Sequence, residues 1–158
     1  FFILIPRHIN RVANIKKLFL EHNLNIAIRS ENNHFINKNF LIVDTFGELG
    51  VFFKLTDIAI VGGSFVPKGG HNPIETYYFN CALVFGPHMY NFVDITSKII
   101  EKNCGFMTSD VIELEKKISY LLNNPKKLKS TIINFKKLCN EESRKANSIF
   151  IKLKHFMD

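Results

Sequence analysis

Cysteine is scarce in this sequence, and what there is does not pair up. Cys81, Cys104 and Cys139 are odd in number, widely spaced and outside any CxxC pattern. Neither a disulfide framework nor a zinc site is suggested, and a reducing cytoplasm is the compartment that suits them. No apolar run is long enough to span a bilayer. The apolar opening FFILIP lacks the basic leader and small-residue cleavage site of a signal peptide, so the chain reads as soluble. Several motifs are also missing. Without GxxxxGK[ST] or GxGxxG, a Walker-type kinase or a dehydrogenase is disfavoured; without GxSxG or a helical HxxE, serine and zinc hydrolases have no footing. There is no repeat and no low-complexity tract.

What is present is enough for one ordinary domain. A chain of 158 residues that is 46% hydrophobic can bury about two-thirds of its unfolded surface. The net charge of +7 is uneven: residues 1–97 hold eight Lys/Arg against seven Asp/Glu, and residues 98–158 hold thirteen against seven. A basic, helical C-terminal end is consistent with a solvated face or with contact to anionic lipid or an acidic partner. Nucleic acid is not favoured, because the aromatics there fall at core spacing and are not interleaved with the lysines.

Short apolar runs at 2–5, 40–44, 58–61 and 82–85 (FILI, FLIVD, IAIV, ALVF), with weaker ones at 25–29 and 105–108, predict strands buried on both faces. Helical spacing separates them: Val12, Ile15, Leu18 and Phe19, then Phe92, Ile95, Ile99 and Ile100. Such alternation predicts a parallel sheet. After residue 109 three helices are expected: one on Val111, Leu114, Ile118 and Leu121, a second after Asn124-Pro125 on Leu128, Ile132 and Phe135, and a third on Ile149, Phe150, Leu153 and Phe156. The reading is one α/β domain, a Rossmann-like doubly wound parallel sheet with extra C-terminal helices. Its ligand crevice is expected at the carboxyl ends of the strands.

The unusual residues follow those strand ends. FILI runs into Pro6-Arg7-His8 with Arg11 one turn on, where a guanidinium can fork onto a phosphate or pair with a structural carboxylate. FLIVD ends in Asp44-Thr45-Phe46-Gly47-Glu48, in which Asp44 or Thr45 is a candidate helix cap and Gly47 removes bulk near the following amides. IAIV leads into Gly62-Gly63-Ser64 and on through Lys68, Gly69, Gly70, His71, Asn72, Pro73, Ile74 and Glu75. Four glycines in nine residues suggest backbone N–H groups gathered around an anion. Asn72 is the expected N-cap and Pro73 the first helical residue, aiming the positive end of a helix at the same place. Glu75 can complement that dipole or accept both hydroxyls of a ribose. ALVF is followed by Gly86-Pro87-His88, a turn, with Asn91 as candidate cap of the next helix.

PRHxxR, DTxGEL, GGSxxxxGGHNxxE and GPHxxNF, in this order, closely resemble the C-terminal domain of the 3-deoxy-D-manno-octulosonic acid (Kdo) transferases, from Phe1 to about Gly105 and more loosely through the terminal helices. The resemblance implies the GT-B fold, with two Rossmann-like domains, and transfer of Kdo from CMP-Kdo to a lipid A precursor in lipopolysaccharide biosynthesis, at the cytoplasmic face of the bacterial inner membrane. It further implies that Pro6 and Arg7, Phe46, Gly47 and Glu48, and Asn72, Pro73, Ile74 and Glu75 meet CMP. Ser64, Gly70 and His71 follow as more loosely implied contacts to phosphate or sugar.

No metal or cofactor is implied, since Arg7 and the helix at Pro73 can stabilise the charge growing on departing CMP. Where family members read Glu-Pro, this chain reads Glu75-Thr76. The resemblance also implies a preceding strand with a Ser-Thr-His loop, and an acceptor domain holding the acidic catalytic base. Neither is among these 158 residues, so none of them is offered as the base. Two other readings share the same loops: a GT-B UDP-sugar transferase or epimerase, and a non-catalytic, degenerate nucleotide-binding or interaction module.

Overall fold

The computed structural model describes residues 1–31, 37–79 and 81–157, the side chains of 77–79 and 147–157 apart. All six expected strands form: β1 (Phe2–Leu4), β2 (Ile26–Ile28), β3 (Phe40–Ile42), β4 (Ile58–Ile60), β5 (Ala82–Phe85) and β6 (Gly105–Met107). They alternate with α1 (Val12–Glu21), α2 (Leu49–Lys54), α3 (Val93–Glu101), α4 (Val111–Asn123) and α5 (Pro125–Met157), giving the α/β, Rossmann-like order expected. The strands divide into two three-stranded parallel ladders, ordered β1-β3-β2 and β4-β5-β6. They fall in two compact units, residues 1–52 and 53–158.

In the first unit, β3 lies in the middle and pairs with β1 (Ile3 opposite Leu41) and with β2 (Ala27 opposite Leu41). Successive strand side chains point to opposite faces, so an all-apolar strand serves two cores at once. Ile26, Ile28 and Ile42 pack with Val12, Ile15 and Phe19 of α1. Ala27, Leu41 and Val43 pack with Phe52 of α2 on the other side. This is double winding within a single unit.

In the second unit the central strand is β5, whose Ala82, Leu83, Val84 and Phe85 are completely buried. Leu83 and Phe85 join Ile99 of α3 with Phe135, Leu138 and Cys139 of α5. At Gly105 an added Cβ would lie 2.8 Å from Ile99 Cγ2 and 2.9 Å from the Leu83 carbonyl oxygen, so only glycine allows helix and strand this close.

The chain uses asparagine where a helix end needs a left-handed residue. Asn23 (φ 54°) and Asn103 (φ 52°) end α1 and α3. The Leu24 N–H returns to the Phe19 carbonyl at 3.0 Å and the Cys104 N–H to that of Ile99 at 2.8 Å, both Schellman closures.

The expectation of three closing helices is corrected to two. α5 runs unbroken for 33 residues. No glycine or proline interrupts residues 126–157, and Leu138 and Cys139 carry the buried stripe past Phe135. Beyond them, Lys98 of α3 and its C-cap residue Lys102 pair with Glu142 and Glu141. A polar middle read as a break is a helical segment held by ion pairs. The predicted stripe Ile149, Phe150, Leu153 and Phe156 lies, in its side chains, outside the described residues.

Candidate functional site

Each motif singled out in the sequence begins one or two residues beyond the C-terminal end of a parallel strand: Pro6 after β1, Asp44 after β3, Gly62 after β4 and Gly86 after β5. That is where ligands gather in open α/β sheets.

In the first unit, Pro6 is half-buried and Arg7 and Arg11 are exposed. His8 is extended (φ −117°, ψ 111°) and precedes a single 3-10 turn, Ile9–Arg11, without capping it through its side chain. The loop after β3 departs from expectation. Neither Asp44 nor Thr45 caps α2. Asp44 instead accepts the Ser30 backbone N–H at 2.9 Å and the Ser30 hydroxyl. Thr45 donates its hydroxyl to Glu48 Oε2, and Arg29 Nη2 donates to Glu48 Oε1 at 2.8 Å. These bonds hold the Glu48 carboxyl below the ordinary carboxylate range, the Arg29 bond contributing most and the Thr45 bond next. Between the two tethered acids, Phe46 is 84% exposed. Gly47 stands at φ +79° with nothing within 4 Å of a would-be Cβ. Glycine is needed there for its backbone angle, while the space beside it stays open.

In the second unit, the glycine-rich loop closes on itself: the Gly70 N–H reaches the Gly63 carbonyl at 3.2 Å and the His71 N–H that of Gly62 at 3.0 Å. Two of the amides expected to face an anion are therefore used inside the loop. Gly63, Gly69 and Gly70 all have positive φ. Ser64, fully buried, donates its hydroxyl to the Val61 carbonyl at 2.7 Å and accepts the Gly86 N–H at 2.8 Å. A serine expected among the ligand contacts thus stitches one loop to the next.

The glycine pair has a further cause. A Cβ on Gly70 would lie 2.1 Å from Met89 Sδ, and one on Gly69 would lie 2.2 Å from Asn91 Nδ2. Met89 is buried, and Asn91, expected as a cap of α3, rests against Gly69; the N-cap position of α3 is Phe92, with no side-chain bond. The segment after β5 therefore braces the segment after β4. That bracing was not legible in the motifs taken one at a time.

Asn72 behaves as expected, its Oδ1 accepting the Ile74 N–H at 3.0 Å at the head of the next element. That element is a seven-residue 3-10 helix, Pro73–Phe79, and not an α-helix. Proline, β-branched Ile74 and Thr76 and three aromatics are poor α-formers, and the Thr76 hydroxyl bonds back to the Pro73 carbonyl at 2.9 Å. Its positive end is correspondingly weaker than a full helix would give. Ile74 and Glu75 are exposed in its first turn, Pro73 is buried and His71 is half-buried. Among the described residues, no group of three or more His, Cys, Asp or Glu is placed to hold a metal ion.

No protein-family model matches the chain. It is 38% identical over 133 residues to the 3-deoxy-D-manno-octulosonic acid transferase of Rickettsia felis, covering 82% of this chain and 28% of that protein. It is 34% identical over 156 residues to that of Rickettsia prowazekii, covering 97% of this chain and 34% of that protein. The chain is homologous to part of the 3-deoxy-D-manno-octulosonic acid transferases. The crystal structure of the C-terminal CMP-Kdo binding domain of WaaA from Acinetobacter baumannii superposes with a TM-score of 0.83 at 27% identity, over 87% of this chain and 72% of that one. The chain spans about a third of the length of the curated Kdo transferases that it matches.

Proposed function

We propose that this chain is the donor-binding part of a Kdo transferase, holding CMP-Kdo while Kdo passes to a lipid A precursor in lipopolysaccharide biosynthesis. The observation that carries the reading is that all four family motifs sit directly after parallel strands, in a chain similar to a solved CMP-Kdo binding domain. Pro6 and Arg7, the Phe46–Glu48 segment and Asn72 through Glu75 are the proposed CMP contacts.

Bond cleavage leaves negative charge on CMP, and the Arg7 guanidinium is the group offered to stabilise it. No residue of this chain is assigned as the base; that role goes to an acceptor-binding domain of the whole transferase. On this reading the acceptor is lipid-linked and the reaction lies at the cytoplasmic face of the bacterial inner membrane. Exposed Lys116, Lys126, Lys129, Lys136 and Lys137 on α4 and α5 suit peripheral contact with anionic lipid. Among the described residues no helix is long and apolar enough to cross a membrane.

Calorimetric titration of the 158-residue chain with CMP, UMP and UDP tests the reading. CMP bound about tenfold or more tightly than the uridine nucleotides is the expected result. Preference for UDP would favour a UDP-sugar enzyme, and no binding of any of them would leave a non-catalytic module.

A further inference from the structure

The proposed nucleotide loop after β3 is not held by its own residues alone. Both of its acids are tethered to the two residues that follow β2: Asp44 to Ser30, and Glu48 to Arg29. The parallel register explains the first tether. Ile28 lies opposite Ile42, so two residues further along each strand Ser30 meets Asp44. Arg29, beside it, reaches the far end of the loop. The two tethers span the exposed Phe46 and the left-handed Gly47, which have no packing of their own to fix them. Arg29 donates to one oxygen of the Glu48 carboxylate and Thr45 to the other, so its side chain acts as a strut.

We propose that Arg29 is a positioning residue for donor binding: acting through Glu48, it fixes the Phe46–Gly47 backbone in the conformation that receives the nucleotide. The inference rests on the proposed CMP site and gives that site a residue outside all four motifs. It also gives Glu48, among the proposed CMP contacts, a task beyond contact: its carboxylate holds the loop through Arg29. Arg29→Gln, which leaves Glu48 in place without its guanidinium partner, should therefore weaken CMP binding.

The test has a ligand-free arm and a ligand arm. Amide hydrogen exchange of the full 158-residue chain without nucleotide should be about tenfold faster in Arg29→Gln at the end of the loop, where the Val51 and Phe52 N–H groups bond the Glu48 carbonyl, with the β-strand amides unchanged. Calorimetry should show CMP affinity about tenfold weaker in Arg29→Gln and partly restored in Arg29→Lys. Unchanged exchange at the loop overturns the proposal. So does faster exchange with unaltered CMP affinity, which would make the pair merely structural. If Arg29→Gln fails to fold, Arg29→Lys decides alone by the same two readings. A wild-type chain with no affinity for CMP sinks the proposed function, while the exchange arm still decides whether Arg29 fixes the loop.

Discussion

Ser64 and Gly86 meet at two points. The Gly86 N–H donates to the Ser64 hydroxyl at 2.8 Å, and a Cβ on Gly86 would lie 2.4 Å from the Ser64 carbonyl oxygen. The parallel register sets this up, since Ile60 opposite Val84 brings the residues just beyond each strand side by side. Removing the hydroxyl leaves a buried amide with no partner. Ser64→Ala is therefore expected to destabilise the chain by about 1–3 kcal/mol. Chemical denaturation measures this. Lost CMP affinity at unchanged stability would instead make Ser64 a ligand contact.

Asn103 offers a test in the opposite direction. Its φ of 52° lies in the left-handed region, at the residue that lets α3 turn into β6. Asn103→Gly should raise stability by a few tenths to about 1 kcal/mol, while Asn103→Val, branched at Cβ, should lower it by about 1–2 kcal/mol. Thermal unfolding of the two variants should move to opposite sides of the original midpoint.

All six strands were legible because each is a short apolar run bounded by turn residues, although the burial on both faces that such runs predict is not met by β1, β4 and β6, which leave Phe2, Leu4, Ile60 and Met107 exposed. The helix that runs to residue 157 was not, because the stripe through Leu138 and Cys139 passes into Glu141-Glu142-Ser143-Arg144, which looks like a linker until Lys98 and Lys102 are seen opposite it. The site divided in the same way. Backbone demands show locally, so the Asn72 cap was visible and the glycines stood out as unusual. Contacts set by strand register, such as Ser30 with Asp44 or Ser64 with Gly86, join residues far apart in sequence. They become readable only once strand order is known.

Glu142 makes the link between α3 and α5 sensitive to pH. The Lys98 ammonium, at 2.7 Å, and that of Lys145, at 2.9 Å, hold its carboxyl down at about 2, the Lys98 bond contributing most. Between its ordinary value and that one, the unfolded chain takes up a proton that the native chain does not. The contribution is therefore complete above the ordinary carboxylate range and is lost as pH falls toward 2. Glu142→Gln should be less stable by about 0.5–1 kcal/mol near neutral pH, the scale of a partly exposed pair. Urea unfolding of both proteins across this range should show the gap closing in acid.

Glu75 decides how well the nucleotide assignment holds. It is exposed in the first turn of the 3-10 helix that Asn72 caps, where a carboxylate has two uses. As a complement to the amides of that turn it adds about 0.3–1 kcal/mol to stability at most, and less for so short an element. As acceptor of both ribose hydroxyls it would add roughly 1.5–3 kcal/mol to binding, and only for ligands that carry them. The expected outcome of Glu75→Ala is a ten- to hundredfold loss of CMP affinity, about what those energies give, with little change in melting. The same substitution tested with 2′,3′-dideoxy-CMP should then cost almost nothing, so the double-mutant cycle between residue and hydroxyls should show a coupling above about 1 kcal/mol. If the two losses simply add, and the variant melts earlier, Glu75 only complements the turn, and the ribose contact must be sought elsewhere.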